Sequence, residues 1–267
     1  MNKYFFLFVT LIFLTCSFNT IHNKSIQSSF VLIYKLTYKI DSLNDDKNTE
    51  LMQLTVKDNI SLFESQFSHK ADSILDSPSF DQSSMNLLSN YLKSNFTYKI
   101  YKTHPNNEIK YYDKIGNKTY HIDQNNKIVK WQITSVTKKI AEYSCRRATT
   151  SFAGRQWEAW FTTAIPLSEG PYKFSGLPGL IISLHDNDND YSFDLIKISN
   201  TSNIIKLKLP ENIISTNQKE FNQGKITYNL QGVTKVANNG NSPEVARQLI
   251  RNYQQKQARK NNPLELR

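Results

Sequence analysis

Cys145 is followed directly by Arg146 and Arg147, and cations beside a thiol favour the nucleophilic thiolate. A cysteine nucleophile also needs a histidine base and a group to orient it. None of His22, His69, His104, His121 or His185 stands in a companion motif, and strand alternation puts Cys145 on the side opposite Arg146. Two readings follow, a reactive thiol at Cys145 and a buried structural cysteine, and the residues favour the second. Asp186-Asn187-Asp188-Asn189-Asp190 imitates the opening of a calcium loop. An EF-hand needs Gly at loop position 6 and Glu at 12, where this chain has Tyr191 and Lys197, so a hairpin tip accounts for the run better than a calcium site. Gly-x-Ser-x-Gly, His-Glu-x-x-His and Cys-x-x-Cys are all missing, and these are the patterns of standard hydrolases, metalloproteases and redox enzymes. The sequence therefore indicates no catalytic residue, no cofactor and no metal, and leans away from an enzyme.

The stretch Phe174 to Ile182, FSGLPGLII, offers different chemistry. Pro178 lacks an N–H and fixes φ, Leu177 before it is pushed toward extended backbone, and Gly176 and Gly179 can take conformations closed to other residues. The motif Gly176, Leu177, Pro178, Gly179, Leu180 and Ile181 carries no nucleophile, acid, base or phosphate-binding lysine. It reads as a rigid turn feeding a buried strand, with a place at a ligand mouth as the alternative.

The elements that must hold these residues are mostly strands. From Phe30, FVLIYKLTYKI sets Leu32, Tyr34, Leu36 and Tyr38 on one side, the two-residue alternation of a half-buried strand. LMQLTVKDN and ISLFES continue it, and FTYKIYK, EIKYYDK, KTYHID and KIVKWQIT follow with turn-forming residues between them. AEYSCRRATTSF, RQWEAWFTTAI, GLIISLH, YSFDLIKI, IIKLKLP and KITYNLQGV extend the pattern. Met85, Leu88 and Leu92 at helical spacing predict a helix over 78–94, and Ser242-Pro243-Glu244 opens another, with Val245, Leu249, Ile250 and Tyr253 on one face. Trp157 and Trp160, three apart on a strand, face opposite ways. One anchors a core or lines a cavity, and the other needs cover from a helix, a loop or a ligand.

The span Tyr143 to Ile198 resembles the GLPGLI family of exported proteins of Bacteroidota. The resemblance rests on Cys145-Arg146-Arg147-Ala148, Gly154-Arg155, Ala159-Trp160, Ile165-Pro166, Gly170-Pro171 and Gly176 to Ile181. It implies a periplasmic or outer-membrane-associated location, and no activity.

Lys3 ahead of the apolar run Tyr4 to Leu14, then Thr15, Cys16 and Ser17, is the layout of a signal peptide over residues 1–17. The alternatives are a lipoprotein lipidated at Cys16 and a membrane anchor, although the run falls short of the about 20 apolar residues of a span. A linker over 18–29 precedes a β-rich domain over 30–240, and 241–267 reads as a basic helix and tail. With Cys16 removed, Cys145 has no disulfide partner, so stability rests on the core. The net charge is +10; export and the spread of cations along the strands argue against nucleic acid, and a solvated basic surface is preferred to a lipid or glycan contact. The expected fold is α+β, mainly antiparallel β, with a strongly curved sheet or half barrel and one or two helices on its concave side. The expected function is a non-enzymatic binding or accessory protein for an apolar ligand or an outer-membrane partner, with no membrane span in the mature chain. A cysteine-dependent envelope enzyme using Cys145 is the alternative.

Overall fold

The computed structural model describes residues 29–91, 94–104, 108–123, 129–201, 207 and 209–266, and the statements below concern those residues. The expected signal peptide, Cys16, the linker to Ser28 and Leu92 lie outside them.

Twelve strands form a single open sheet. In chain order they are β1 (Ser29–Tyr38), β2 (Asn48–Lys57), β3 (Ile60–Ser65), β4 (Lys99–Thr103), β5 (Glu108–Ile115), β6 (Lys118–Asp123), β7 (Gln132–Ile140), β8 (Tyr143–Phe152), β9 (Arg155–Thr162), β10 (Leu180–Asp186), β11 (Tyr191–Thr201) and β12 (Ile213–Asn217). Across the sheet the order is β12-β6-β5-β4-β3-β2-β1-β11-β10-β9-β8-β7. Sequential hairpins make the pairings antiparallel, and β12 alone lies parallel, on β6. The chain is thus α+β and mainly antiparallel, as its alternation predicts.

Four helices complete it: α1 (Gln66–Leu75), α2 (Gln82–Tyr91), α3 (Gln218–Asn238) and α4 (Pro243–Ala258). Helix α2 falls inside the segment expected to be helical, but it leaves Met85 and Leu87 half exposed and packs on α1, not on the core face. The segment KITYNLQGV, expected as a strand, lies within α3. Its alternation of Ile226, Tyr228 and Leu230 fits either period over so short a run. The decision is made upstream, where the Asn217 side chain caps the helix by accepting from the Glu220 amide.

The sheet has an inner and an outer face. Leu32, Tyr34, Leu36, Met52, Leu54, Phe63, Ile100, Trp157, Ala159 and Phe193 form the inner core. What fills the concavity is a loop. Residues 163–179, between β9 and β10, place Tyr172, Phe174 and Leu177 in that core, each almost solvent-free.

This plug shows how far the sheet curls. The Glu169 carbonyl accepts from the Ile181 amide of β10 at 3.0 Å, while its carboxylate meets Lys102 of β4 at 2.6 Å. In a flat sheet those strands, five spacings apart, would be separated by about 24 Å. One Glu and one Lys side chain bridge much less, so the open sheet curls round the plug.

Candidate functional site

The glycine-proline motif lies at the end of the plug. Pro178 is the corner of a tight turn in which the Gly179 amide donates to the Leu177 carbonyl at 2.8 Å. Leu177 is buried, whereas Gly176, at φ +93°, faces open space. Gly179 has φ +155°, and a Cβ there would stand 2.1 Å from the Thr162 carbonyl oxygen. Only a glycine lets the chain pass β9 this closely and enter β10, where Leu180 and Ile181 join the core. The geometry is that of a tight turn with Leu177, Gly179, Leu180 and Ile181 buried, and the motif lines neither of the two grooves described below.

A buried ion cluster locks the plug to the opposite side of the sheet. Lys102, 1% exposed, donates to the Gly170 and Phe174 carbonyls and pairs with Glu169, which also meets His104 Nε2 at 2.7 Å. Burial alone would raise the Glu169 carboxyl, but the Lys102 charge and the contacts from His104 and Lys102 bring it down to about 2. The sequence offered no spacing by which Lys102 and Glu169 could be paired.

A second lock joins Arg155 to the segment Asn261–Leu266. The guanidinium pairs with Asp186 at 2.6 Å and donates to the Asn262 side chain and to the Pro263 and Leu264 carbonyls. Asp186 further accepts from the Tyr191 amide, and the Asn262 side chain donates to Asp190. Tyr172 and Lys173 of the plug reach Glu265. Asp186, Asp188 and Asp190 do come together, yet two of these carboxylates serve the Arg155 and Asn262 lock at a hairpin tip.

Cys145 is solvent-free on the outer face, its Sγ 3.7 Å from the Tyr143 carbonyl. Burial pushes its thiol up, against a smaller opposing pull from Lys138. Arg146 pairs with Phe161 and His185 with Glu158, which leaves His185 several residues along the sheet from Cys145. Trp157 is the inner tryptophan, and Trp160 faces outward as alternation requires. Side chains of its own face cover it: Lys138 places its ammonium 3.9 Å from the ring centroid, and Glu158 accepts from the indole N–H at 2.8 Å while holding Arg147 at 2.6 Å.

A groove of about 820 Å³ lies on the outer face of β2–β6, between α1 and the Leu209–Glu211 segment. Its floor carries Thr55, Leu62, Tyr101 and Tyr112, the two rings edge to face at 5.6 Å. Glu64, Asp72, Asp76, Asp113 and Glu211 line it against Lys99 and Lys114. Lys99 bridges Glu64 and Asp72 at 3.0 and 2.7 Å, and the two carboxylates hold its ammonium well above the usual lysine range despite burial. In a chain of net charge +10 this groove is locally acidic. It draws on five separated segments, and no single motif announces it.

A family model described as "Protein of unknown function (Porph_ging)" matches residues 152–183, which span β9, the plug and the start of β10. Two crystal structures of PNGF-II are similar to this chain, in the P21 and C2 space groups, at 15% identity with TM-scores of 0.54 and 0.53. They cover 76% and 75% of this chain and 34% and 33% of their own. Likeness at that identity shows the fold, and the chain spans about a third of the PNGF-II chain. No curated protein matches the sequence. Among the described residues no helix is long and apolar enough to cross a membrane.

Proposed function

We propose that the chain is an exported, envelope-associated protein of the family named for its Gly-Leu-Pro-Gly-Leu-Ile motif, and that it works as a non-enzymatic binding module. The observation that carries this reading is the contrast between a concave face filled by the chain's own plug and an open, acidic, tyrosine-floored groove on the other face. The filled face leaves no room for the apolar ligand first expected there. The outer groove suits a partner segment that brings positive charge to its carboxylates and an apolar or aromatic side chain to Tyr101 and Tyr112.

The test titrates the protein with labelled extended peptides of equal length and aromatic content, one series bearing lysines and one glutamates. The lysine series binds at least about tenfold tighter, and reversing the exposed rim charges with Asp76→Lys and Glu211→Lys erases that preference at unchanged Tm. Equal affinity for the two series overturns the reading. The cysteine-enzyme alternative is tested by alkylation at neutral pH: Cys145 stays unlabelled until the protein unfolds, whereas rapid labelling of the native state would reinstate it.

A further inference from the structure

Helices α3 and α4 form a hairpin that concentrates positive charge. Residues 218–260 carry eight Lys or Arg (Lys219, Lys225, Lys235, Arg247, Arg251, Lys256, Arg259, Lys260) against Glu220 and Glu244. This stretch therefore carries a net charge of +6 within the chain's +10, although most of the chain's Lys and Arg lie elsewhere.

Helix α3 touches the sheet through its first turns. Phe221 packs on Tyr120, Lys225 bonds Asp113 at 2.8 Å, and Tyr228 lies over Gly116. Beyond Tyr228 the principal partner of α3 is α4, and the remaining ten residues of α3 project about 15 Å at an α-helical rise. The seam uses Leu230, Val233 and Ala237 against Ala246, Ile250 and Tyr253, positions at helical spacing with low exposure. This splits the face predicted for α4: Ile250 and Tyr253 turn to α3, while Val245 and Leu249 turn out.

Leu249 does not stand alone. Tyr228, Gly232, Val236, Leu249 and Tyr253 line one groove of about 810 Å³ along the side of the hairpin. Val236 is 68% exposed, Val245 46% and Leu249 39%. On the wheel of α4, Lys256 shares the stripe of Val245 and Leu249, and Lys260 follows just beyond the helix end. Lys260 is exposed, its ammonium is pushed down by partial desolvation and by the Lys256 and Lys225 charges, and Lys235 lines the groove itself. An exposed apolar stripe edged by cations, on a projecting element, is the pattern of a helix lying in the interface of an anionic bilayer.

We propose that the α3–α4 hairpin is a membrane-docking element that binds an anionic lipid surface, with Val236, Val245 and Leu249 entering the interface and Lys235, Lys256 and Lys260 contacting headgroups. This stands apart from the groove of the outer sheet face, and either can fail without the other.

The experiment is co-sedimentation of the full chain with vesicles of phosphatidylcholine alone and of phosphatidylcholine with phosphatidylglycerol in equal parts. Because the apolar run near residue 10 can itself enter lipid of either kind, the readout is the difference between the two vesicles. Expected is at least about tenfold stronger binding to the anionic vesicles, weakening as salt rises from about 0.1 to about 0.5 M. Lys256→Gln with Lys260→Gln, and separately Val236→Asp with Leu249→Asp, each remove most of that difference; all four residues lie on the hairpin surface, and an unchanged melting temperature verifies the fold. Equal binding to both vesicles, or hairpin variants that bind as the parent does, overturns the proposal. So does a hairpin that makes dimers lost in Val236→Asp with no lipid preference, which would assign the stripe to a second copy of the chain.

Discussion

The two faces of this sheet are finished in opposite ways. The inner face is closed by the chain itself: residues 163–179 fill it, Lys102 and Glu169 bolt the plug to β4, and Arg155 with Asn262 holds the Asn261–Leu266 segment at one end. The outer face is left open between α1 and the Leu209–Glu211 segment, its charges half-solvated and its tyrosines on the floor. Of the residues that stand out in the sequence, Arg155, Gly170, Leu177, Gly179, Leu180 and Ile181 are buried with the closed face, while Gly154 and Gly176 sit at exposed turns. A conspicuous motif here marks backbone that must pass close to other backbone, and the surface that can meet a partner carries none.

The contrast breaks most sharply at Gly179. A side chain there meets the Thr162 carbonyl within 2.1 Å, and backbone cannot yield as a flexible side-chain tip can. Gly179→Val is expected to cost about 4 kcal/mol or more, read as loss of the cooperative thermal transition at physiological temperature. Gly176→Val, at a positive φ but in open space, is expected to cost only about 1–2 kcal/mol from strain. If both glycines tolerate valine equally, the plug is not held as described.

Next in size is the ion cluster. Glu169→Gln leaves Lys102 as a buried cation without its counter-charge, at an expected cost of about 3–5 kcal/mol in denaturant unfolding. The pH dependence has a definite sign. Glu169 titrates at about 2 in the folded protein against an ordinary 4.5, so its stabilisation is complete above about pH 4.5 and is lost as pH falls toward 2. The parent should lose stability across that window more steeply than Glu169→Gln. Parallel acid limbs for the two proteins would remove Glu169 from the account.

How much of this was readable beforehand follows from the range of the interactions. Alternation in β1 placed Leu32, Tyr34, Leu36 and Tyr38 inside, because a two-residue period needs only neighbours in sequence. The turn at Pro178 was likewise local. Lys102 and Glu169 lie far apart along the chain, as do Arg155 and Asn262, and polar residues that pair only through folding leave no periodic trace. The segment 261–266, part of what was read as a basic tail, is a docked one for the same reason. Helix α3 was missed because Ile226, Tyr228 and Leu230 suit a strand, while the evidence for a helix sat in the cap at Asn217 and in a partner helix yet to come. The outer groove was invisible because it is assembled from five segments, each ordinary alone.

The smallest expected effect tests whether the outer face near β7 and β9 is covered by the chain's own cations or awaits a ligand. Trp160 is only 5% exposed, and Lys138 stands 3.9 Å from its ring centroid. Lys138→Ala removes both the charge and the stem, and is expected to destabilise by about 0.5–1 kcal/mol. Lys138→Met keeps an apolar stem without the charge, and should recover the part due to cover alone. Tryptophan emission adds an independent reading: Lys138→Ala shifts it to the red, and the shift vanishes in a Trp160→Phe background that leaves Trp131 and Trp157 in place. If Lys138→Ala changes neither emission nor stability, Trp160 is shielded by something other than Lys138, and the outer face here is as firmly closed as the inner one.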